Sequence, residues 1–350
     1  MDHTHPKVYI VILNWNGWRD TIESLESVLR NDYPSFQVVV CDNDSNDDSL
    51  DHIKEWATGG VQAPAPDDPS LRQLVVPPVQ KPIAFVEYDR TLAELGGRAE
   101  DAETPLILIQ TGANLGFAGG YNVGLRYALA RGDFAYIWLL NNDTVIAPNA
   151  LTALVSRMQE RPDAGQCGSR LLFYDAPGTV QALGGASYNR FFASAKHVGA
   201  FSPADQPVDP PRIESCLDYV VGASLLVSRS FLRDIGLLSE DYFLYHEEID
   251  WATRARGRYG IAYAHESIVY HKEGGSTGSS RDPALKSRTA DYYSIRSRLR
   301  FTRAHYPLIL PTVYLGLVIA IANRLRRRQP ERALDILRII FHRRPRITQP

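Results

Sequence analysis

Cysteine is scarce in this chain of 350 residues: Cys41, Cys167 and Cys216 are odd in number and far apart. That excludes a disulfide scaffold, makes a zinc cluster an unsuitable reading, and points to a reducing compartment. Long apolar runs are also missing. Crossing a bilayer takes roughly 20 apolar residues, and Leu308–Ala322 offers 15. The first residues, Met1–Lys7, are polar and lead straight into an apolar strand, which does not fit a signal peptide. No internal repeat is visible. What is present is ordinary for a globular protein, with 44% apolar and 22% charged residues. That content rules out wholesale disorder and suffices for one large or two small domains.

The formal net charge of −2 hides an asymmetry. From Arg281 onward, sixteen basic residues face four acidic ones, leaving +12 there and −14 in the first 280 residues. An acidic body joined to a basic tail suggests that the tail meets something anionic. In that tail, Leu308–Ala322 is followed by Asn323–Arg328 (NRLRRR), and Glu331–Phe341 sets Ala333, Leu334, Leu337, Ile340 and Phe341 on one face. Apolar faces beside arginines suit a helix lying among lipid headgroups better than a nucleic-acid surface, which calls for exposed stacking aromatics. The −14 body would also repel a polyanion. No nucleic-acid partner is expected.

Apolar runs and helical periodicity alternate at the start. Residues 8–13 and Phe36–Cys41 read as strands, while Asp20–Leu29 and Ser49–Trp56 read as helices, which argues for a parallel sheet. Residues 57–104, rich in Pro and Gly, read as an insertion on a surface edge, with one possible strand at Ile83–Tyr88. The rhythm resumes with a strand at Leu106–Gln110, a Gly-rich loop at Asn114–Gly120 and a helix at Tyr121–Ala130. A buried strand follows at Ala135–Leu140, then a helix at Pro148–Gln159. Later candidates are a strand at Val220–Ser228, helices at Phe231–Ile235 and Glu247–Arg256, and short strands at Ile261–Tyr263 and Ile268–Tyr270. A Gly/Ser loop is expected at His271–Ser280.

Four polar clusters close successive strands: Asn14–Asn16, Asp42–Asp48, Asn114–Gly120 and Asn141–Asp143. Ligands bind open α/β sheets at that edge, so a shared pocket is expected. Within it Asp42, with Asp44 nearby, can accept the imide N–H of uracil or thymine, and Trp15 can stack on a base. Asn14, Asn114, Gly116 and Asn142 are candidate nucleotide contacts. Asp143 ends a strand buried on both faces, where a carboxylate is costly unless paired or metal-bound; oxygen ligands suit Mg²⁺ or Mn²⁺. Glu247, Glu248 and Asp250 crowd three acids into four residues. Their repulsion raises at least one pKa and makes a general base available. A neutral His271 can complete a metal shell with Asp143.

The ordered set VILNWNG, VVVCDNDSNDDS, NLGFAGGYNVGL, IWLLNNDT, VVGASLLVSR, FLYHEEIDWATR and VYHKEGGSTG resembles the inverting glycosyltransferases of family 2, and among them bacterial rhamnosyltransferase-like enzymes. The matching parts are about residues 8–56 and 105–300. The resemblance implies a GT-A fold, an α/β arrangement with a Rossmann-like, mostly parallel sheet flanked by helices, here with a C-terminal helical extension. It implies a catalytic domain over residues 1–280, split into a nucleotide-binding half (1–143, carrying the 57–104 insertion) and an acceptor half (144–280), then a basic amphipathic tail over 281–350. It implies that Trp15 lies beside the base, Asp42 binds the imide and Asp143 is the last acid of a metal-binding D-x-D whose first position is Asn141. Glu248 becomes the catalytic base beside Glu247, supported by Asp250 and Arg254. His271 becomes a late metal or diphosphate ligand, and Tyr292, Tyr293 and Arg296 lie near the diphosphate.

The resemblance therefore implies transfer of a sugar from a nucleotide-diphosphate donor, dTDP-rhamnose or a UDP-sugar, to a glycan or lipid-linked glycan hydroxyl in cell-surface polysaccharide synthesis. Mg²⁺ or Mn²⁺ is the expected cofactor, and the expected place is cytoplasmic, on the inner face of the cell membrane. Competing readings are a sugar nucleotidyltransferase, a nucleic-acid-binding protein and a non-catalytic membrane-surface protein. The first usually needs a Gly-rich loop with Arg and Lys after its first strand, where this chain has Asn14-Trp15-Asn16-Gly17-Trp18. The last has no use for Glu248.

Overall fold

The computed structural model describes residues 5–272 and 287–341. The chain opens with β1 (Val8–Asn14), α1 (Trp18–Val28), β2 (Phe36–Asp42) and α2 (Ser49–Thr58), as the periodicity predicts. Next come α3 (Pro69–Val75), β3 (Phe85–Asp89), α4 (Arg90–Glu94), β4 (Leu106–Gln110), α5 (Gly116–Arg131), β5 (Tyr136–Asn141), β6 (Thr144–Ile146) and α6 (Ala150–Glu160). The middle of the chain holds β7 (Ala164–Phe173), β8 (Ala176–Leu183), β9 (Gly185–Asn189), β10 (Ser194–His197), α7 (Pro210–Glu214), β11 (Tyr219–Val220) and β12 (Ser224–Ser228). It ends with α8 (Arg229–Ile235), α9 (Glu247–Ala255), β13 (Gly260–His271), α10 (Arg288–His305), α11 (Leu310–Arg326) and α12 (Pro330–Ile340).

The main sheet runs β3-β4-β2-β1-β5-β12-β7-β13-β6, with β8 paired to β7. The strands from β3 to β5 are parallel; β12 is antiparallel to β5 and β7. β1 shows why helices cover both faces. Val8, Ile10 and Ile12 join one apolar cluster with Ile22 and Leu25 of α1, Trp56 of α2 and Leu154 of α6. Tyr9 and Val11 point the other way, into a second cluster with Val123 of α5, Phe231 of α8 and Trp251 of α9. Alternation along a strand sends neighbouring residues to opposite faces, so an unbroken apolar run needs cover on both. A separate small sheet, β10-β9-β11, packs beside α9.

Within residues 57–104, the possible strand at Ile83–Tyr88 is present as β3, a parallel edge strand beside β4. Three readings change. The stretch Asn114–Gly120 is not a loop throughout: α5 starts at Gly116, and its glycines serve close packing. A Cβ on Gly120 would lie 2.4 Å from Leu13, and one on Gly124 2.5 Å from Val11. The run Val220–Ser228 splits into β11 and β12 around a turn at 221–223, whereas the two short strands after Ile261 are one bulged strand, β13. Finally, Pro307–Arg326 forms a 20-residue helical stretch, long and apolar enough to cross a bilayer by length and composition. Of the Gly/Ser segment His271–Ser280, the part from residue 273 lies outside the described residues, as does the tail beyond Phe341.

The three last helices share a core. Tyr292, Tyr293 and Leu299 of α10 meet Val313 and Leu317 of α11 and Ile336 and Ile339 of α12. Ion pairs lock the arrangement: Arg324 to Asp291 (2.5 Å) and Arg288 to Asp335 (2.6 Å), with Arg338 also on Asp335 (3.2 Å). Asp335 is buried, and its loss would strand two guanidinium groups that keep some access to water. Asp335→Ala is therefore expected to cost about 2 kcal/mol, below the range for a fully buried pair. Chemical denaturation with an unchanged m value checks this.

Candidate active site

The register of the central strands brings the polar ends level. Asn14 pairs with Asp42 across β1 and β2, and Leu13 with Asn141 across β1 and β5. Asn14 donates from Nδ2 to Asp42 Oδ1 (2.7 Å), and Ser45 donates to both Asp42 oxygens, Oγ to Oδ1 at 2.6 Å and backbone N to Oδ2 at 3.0 Å. A carboxylate offers about four acceptor sites, so Asp42 retains room for one further donor. Asn142 turns below this layer, donating to Thr21 Oγ1 at 3.1 Å and lying 3.4 Å from Asn14 Oδ1. Asn43 ties the β2 end to the start of α5 through Asn114 (3.1 Å) and the Gly116 carbonyl (3.2 Å). Trp15 is half-buried at the rim. Its neighbour Trp18 is engaged by His52, stacked at 4.1 Å, and by Arg19 at 4.2 Å. Asp44 is exposed in a left-handed turn (φ 64°).

Asp143 and His271 meet at the same edge. Asp143 Oδ1 lies 3.2 Å from His271 Nε2, yet this buried oxygen has no hydrogen-bond partner. His271 Nδ1 is 2.9 Å from Gln181 Oε1. Since the amide oxygen only accepts, Nδ1 carries a proton. A protonated ring donates from Nε2 to Asp143, and a neutral ring presents a lone pair there, where both groups would hold a cation. Asn141 stands alongside, its Nδ2 at 3.5 Å from His271 Nε2. The chemistry of this set fits a divalent metal. Burial pushes the Asp143 carboxyl up, but His271, its backbone and Lys272 outweigh that and hold it below the ordinary range. Lys272 also fastens the end of β13 to α1 through Asp20 (2.6 Å) and Glu23. Among the described residues, no group of three His, Cys, Asp or Glu side chains gathers for a metal.

The second acidic centre opens α9. Tyr245 and His246 both take left-handed φ values, 67° and 74°, which side-chain-bearing residues adopt at a cost. This kink delivers Glu247 and Glu248 to the first helical turn. Glu248 Oε1 accepts from the Gly222 amide at 3.1 Å, and a Cβ on Gly222 would sit 2.3 Å from that oxygen. A side chain there would push the Glu248 carboxylate aside. Burial raises the Glu248 carboxyl above its usual value, although the side chain keeps some contact with solvent. Burial, then the Glu248 charge, drives Glu247 well above the carboxylate range, and its Oε2 has no hydrogen-bond partner. Asp250 accepts from Arg254 Nε (2.8 Å) and lies 2.7 Å from His305 Nε2. Arg254 also donates to the carbonyls of Ile235 (2.8 Å) and Leu237 (2.7 Å), so these two residues clamp the helix in place.

The two centres face one another across α5. The Tyr121 hydroxyl donates to Asn141 Oδ1 at 3.2 Å, and it is raised by burial first and then by the charges of Asp143 and, more weakly, Glu248. Phe117, one turn earlier, lines the Gly222 side. Tyr292, Tyr293 and Arg296 lie on α10. The tyrosines are buried between helices, Tyr293 stacks on Phe243 at 4.7 Å, and Arg296 is exposed. Their link to the site is indirect: the Phe243 carbonyl accepts from Phe117 N (2.8 Å) and would be 2.3 Å from a Cβ on Gly116. Sequence reasoning missed Gly222, Gln181 and Ser45. A glycine inside the apolar run VVGASLLVS was a signal of close approach; Gln181 carried none.

The family model described as glycosyl transferase family 2 matches residues 9–65 and 88–197, the segments that carry Asn14, Asp42 and Asp143. Those two segments belong to glycosyltransferase family 2. The chain is 28% identical over 202 residues to an N-acetylglucosaminyl-diphospho-decaprenol L-rhamnosyltransferase of Mycobacterium tuberculosis, covering 51% of this chain and 61% of that protein. It is 26% identical over 148 residues to a low-salt glycan biosynthesis hexosyltransferase of Haloferax volcanii, covering 42% of this chain and 45% of that one. The matches thus span about half the length of these relatives. A mannosyltransferase of Pyrobaculum calidifontis, solved with GDP-Man and Mn²⁺, superposes with a TM-score of 0.52 at 13% identity, over 98% of this chain and 89% of that chain. At that identity the likeness is one of fold, and it bears out the expected GT-A architecture.

The buried Glu247 gives this chain a pH signature. Its folded pKa lies well above the ordinary 4.5. Between those two values the unfolded chain loses the proton and the folded chain keeps it, so stability falls as pH rises through that window. Glu247→Gln keeps the shape without the titration. Denaturation measured from pH 4 upward is expected to show a flatter stability profile for the variant, about 1 kcal/mol or more above wild type at the alkaline end.

Proposed function

We propose that this chain is an inverting glycosyltransferase that moves a sugar from a nucleotide-diphosphate donor to a hydroxyl of a glycan or lipid-linked glycan, in cell-surface polysaccharide synthesis. One observation carries the reading. A carboxylate of raised pKa, Glu248, and a cation-seeking pair, Asp143 and His271, converge on one sheet edge beside a polar nest at Asp42. A donor with a base, a diphosphate and a sugar needs those three features in that sequence.

In this reading the spare acceptor site on Asp42 takes the imide N–H of uracil or thymine, and the open face of Trp15 receives the base. Asp143 Oδ1 and His271 Nε2, with Asn141 beside them, would hold Mg²⁺ or Mn²⁺, which supplies positive charge against the diphosphate when bound. Glu248 takes the proton from the acceptor hydroxyl as its oxygen attacks the anomeric carbon. The new C–O bond forms on one face, the bond to the diphosphate breaks on the other, and the nucleoside diphosphate leaves with the electron pair. One in-line displacement inverts the centre. A double displacement needs a second free carboxylate; Asp250 is committed to Arg254 and His305, and Glu247 is buried. The activities named for the relatives, L-rhamnosyl and hexosyl transfer, support dTDP-rhamnose or a UDP-sugar as donor. An acceptor on a lipid carrier agrees with a cytoplasmic enzyme seated on the inner face of the membrane by its basic, apolar C-terminal helices.

Glu248→Gln is expected to lower transfer about 10²–10⁴-fold while nucleotide binding stays near wild type. Activity that survives would put the base elsewhere. Because the raised carboxyl must be deprotonated to act, the acid limb of the rate profile should lie above pH 4.5. Asp143→Ala should remove the Mn²⁺ enhancement of nucleotide-diphosphate binding seen by calorimetry. Equal affinity with and without the ion in wild type would sink the metal role.

A further inference from the structure

The outer surface of α11 is apolar and open. Leu315, Val318, Ile319 and Leu325 are exposed at helical spacing, and Leu308 just before them is 91% exposed. Beside this stripe stands a second apolar element that lies in the catalytic body. The turn between β9 and β10 presents Phe191 and Phe192, the latter 71% exposed. The turn is ordered. Asn189 Oδ1 accepts from the Phe191 and Phe192 amides at 3.0 and 3.3 Å, and Thr312 of α11 donates to the Phe191 carbonyl at 2.6 Å. Ala193 of the same turn packs in the cluster with Val313 and Leu317. The turn and the helix therefore form one continuous face.

The charge around that face has one sign. Residues 307–330 contain four arginines and no acid, and 185–197 contain Arg190 and Lys196 and no acid. Arg190, Lys196, Arg326, Arg327 and Arg328 are all exposed. Apolar side chains rimmed by cations match the headgroup layer of an anionic leaflet. The surface does not suit a crossing helix. Val313 and Leu317 are buried against the body, Arg324 is bonded to Asp291, and Arg303 donates to the Tyr314 hydroxyl at 2.8 Å. To cross, α11 would have to give up all of these.

Resting on the membrane-seated reading above, we infer that the Phe191–Phe192 turn and the outer stripe of α11 dock together on an anionic lipid surface, with α11 lying in the interface and the turn as a second insertion point. The consequence reaches the active site. β9 runs from that turn to Gly185, which pairs with Val220, two residues before the glycine that holds Glu248. At about 3.4 Å per residue, the base stands roughly one short strand above the lipid contact. Two contact points, unlike one, fix the orientation of the site toward a lipid-borne acceptor.

The test compares full-length wild type, Phe191→Ser/Phe192→Ser and Leu315→Ser/Ile319→Ser on vesicles of phosphatidylcholine with and without phosphatidylglycerol. Wild type should sediment with the anionic vesicles. Each double variant should partition roughly tenfold less or weaker still, with thermal unfolding near wild type. The indole introduced by Phe192→Trp should be quenched by brominated lipid in the anionic vesicles. Turn variants that bind like wild type, or an indole at that position left unquenched, would overturn the inference. If the α11 variant alone lost binding, the broader membrane reading would survive. Resistance to alkaline extraction would overturn the interfacial placement by indicating a crossing helix. A lipid-free dimer that the turn variant dissociates would reassign the face to self-association and equally overturn the proposal. Transfer to a short soluble acceptor should be unchanged in the turn variant, which separates this outcome from failure of the catalytic reading.

Discussion

The structure depends on strand register. β1, β2 and β5 are apolar almost to their ends, and their pairing sets Asn14 against Asp42 and Leu13 against Asn141. A shift of one residue would exchange the faces of a strand and move its terminal polar group from the ledge. Covering both faces with helices makes such a shift costly, because every residue of β1 from Val8 to Ile12 is fully buried. The chemistry at the edge is thus positioned by the core beneath it.

The site also stores unfavourable electrostatics. Glu247 and Glu248 are adjacent in a poorly solvated turn, an arrangement that costs stability in the free protein. Asp143 faces His271, which holds its carboxyl below the ordinary range. The surrounding bonds hold these groups in place: Gln181 on His271, Gly222 on Glu248, and Asp250 with Arg254 under α9. Backbone strain at Tyr245 and His246 belongs to the same balance.

Much of the first half was legible because its signals are local. A β-branched strand closed by Asn or Asp and followed by a helical stripe needs no partner to be recognised, so β1 to β5 and Asp42 and Asp143 could be read directly. The segment between α6 and β12 was opaque, since β7 to β10 owe their form to pairing with distant strands and to a small sheet of mixed polarity. Gln181 was invisible for that reason: it matters only because β8 brings it to His271. Tyr292 and Arg296 illustrate the reverse. Their segment resembles a late family motif, and in the fold Tyr292 and Tyr293 pack in the core shared with α11 and α12, with Tyr293 stacked on Phe243. The 15-residue apolar run understates the helix because helix geometry continues through its polar ends.

The shared core of α10, α11 and α12 has a practical meaning for the whole chain. The charge asymmetry makes the C-terminal part look like an appendage, a basic tail on an acidic body. Yet Tyr293 stacks on Phe243, Ser297 donates to the Leu244 carbonyl at 2.8 Å, and His305 touches Asp250. The tail therefore holds the loop that carries the acid pair. Cutting it away would leave the turn that carries Glu247 and Glu248 without these supports and uncover an apolar surface, so the placement of the acid pair depends on residues more than forty positions further along the chain.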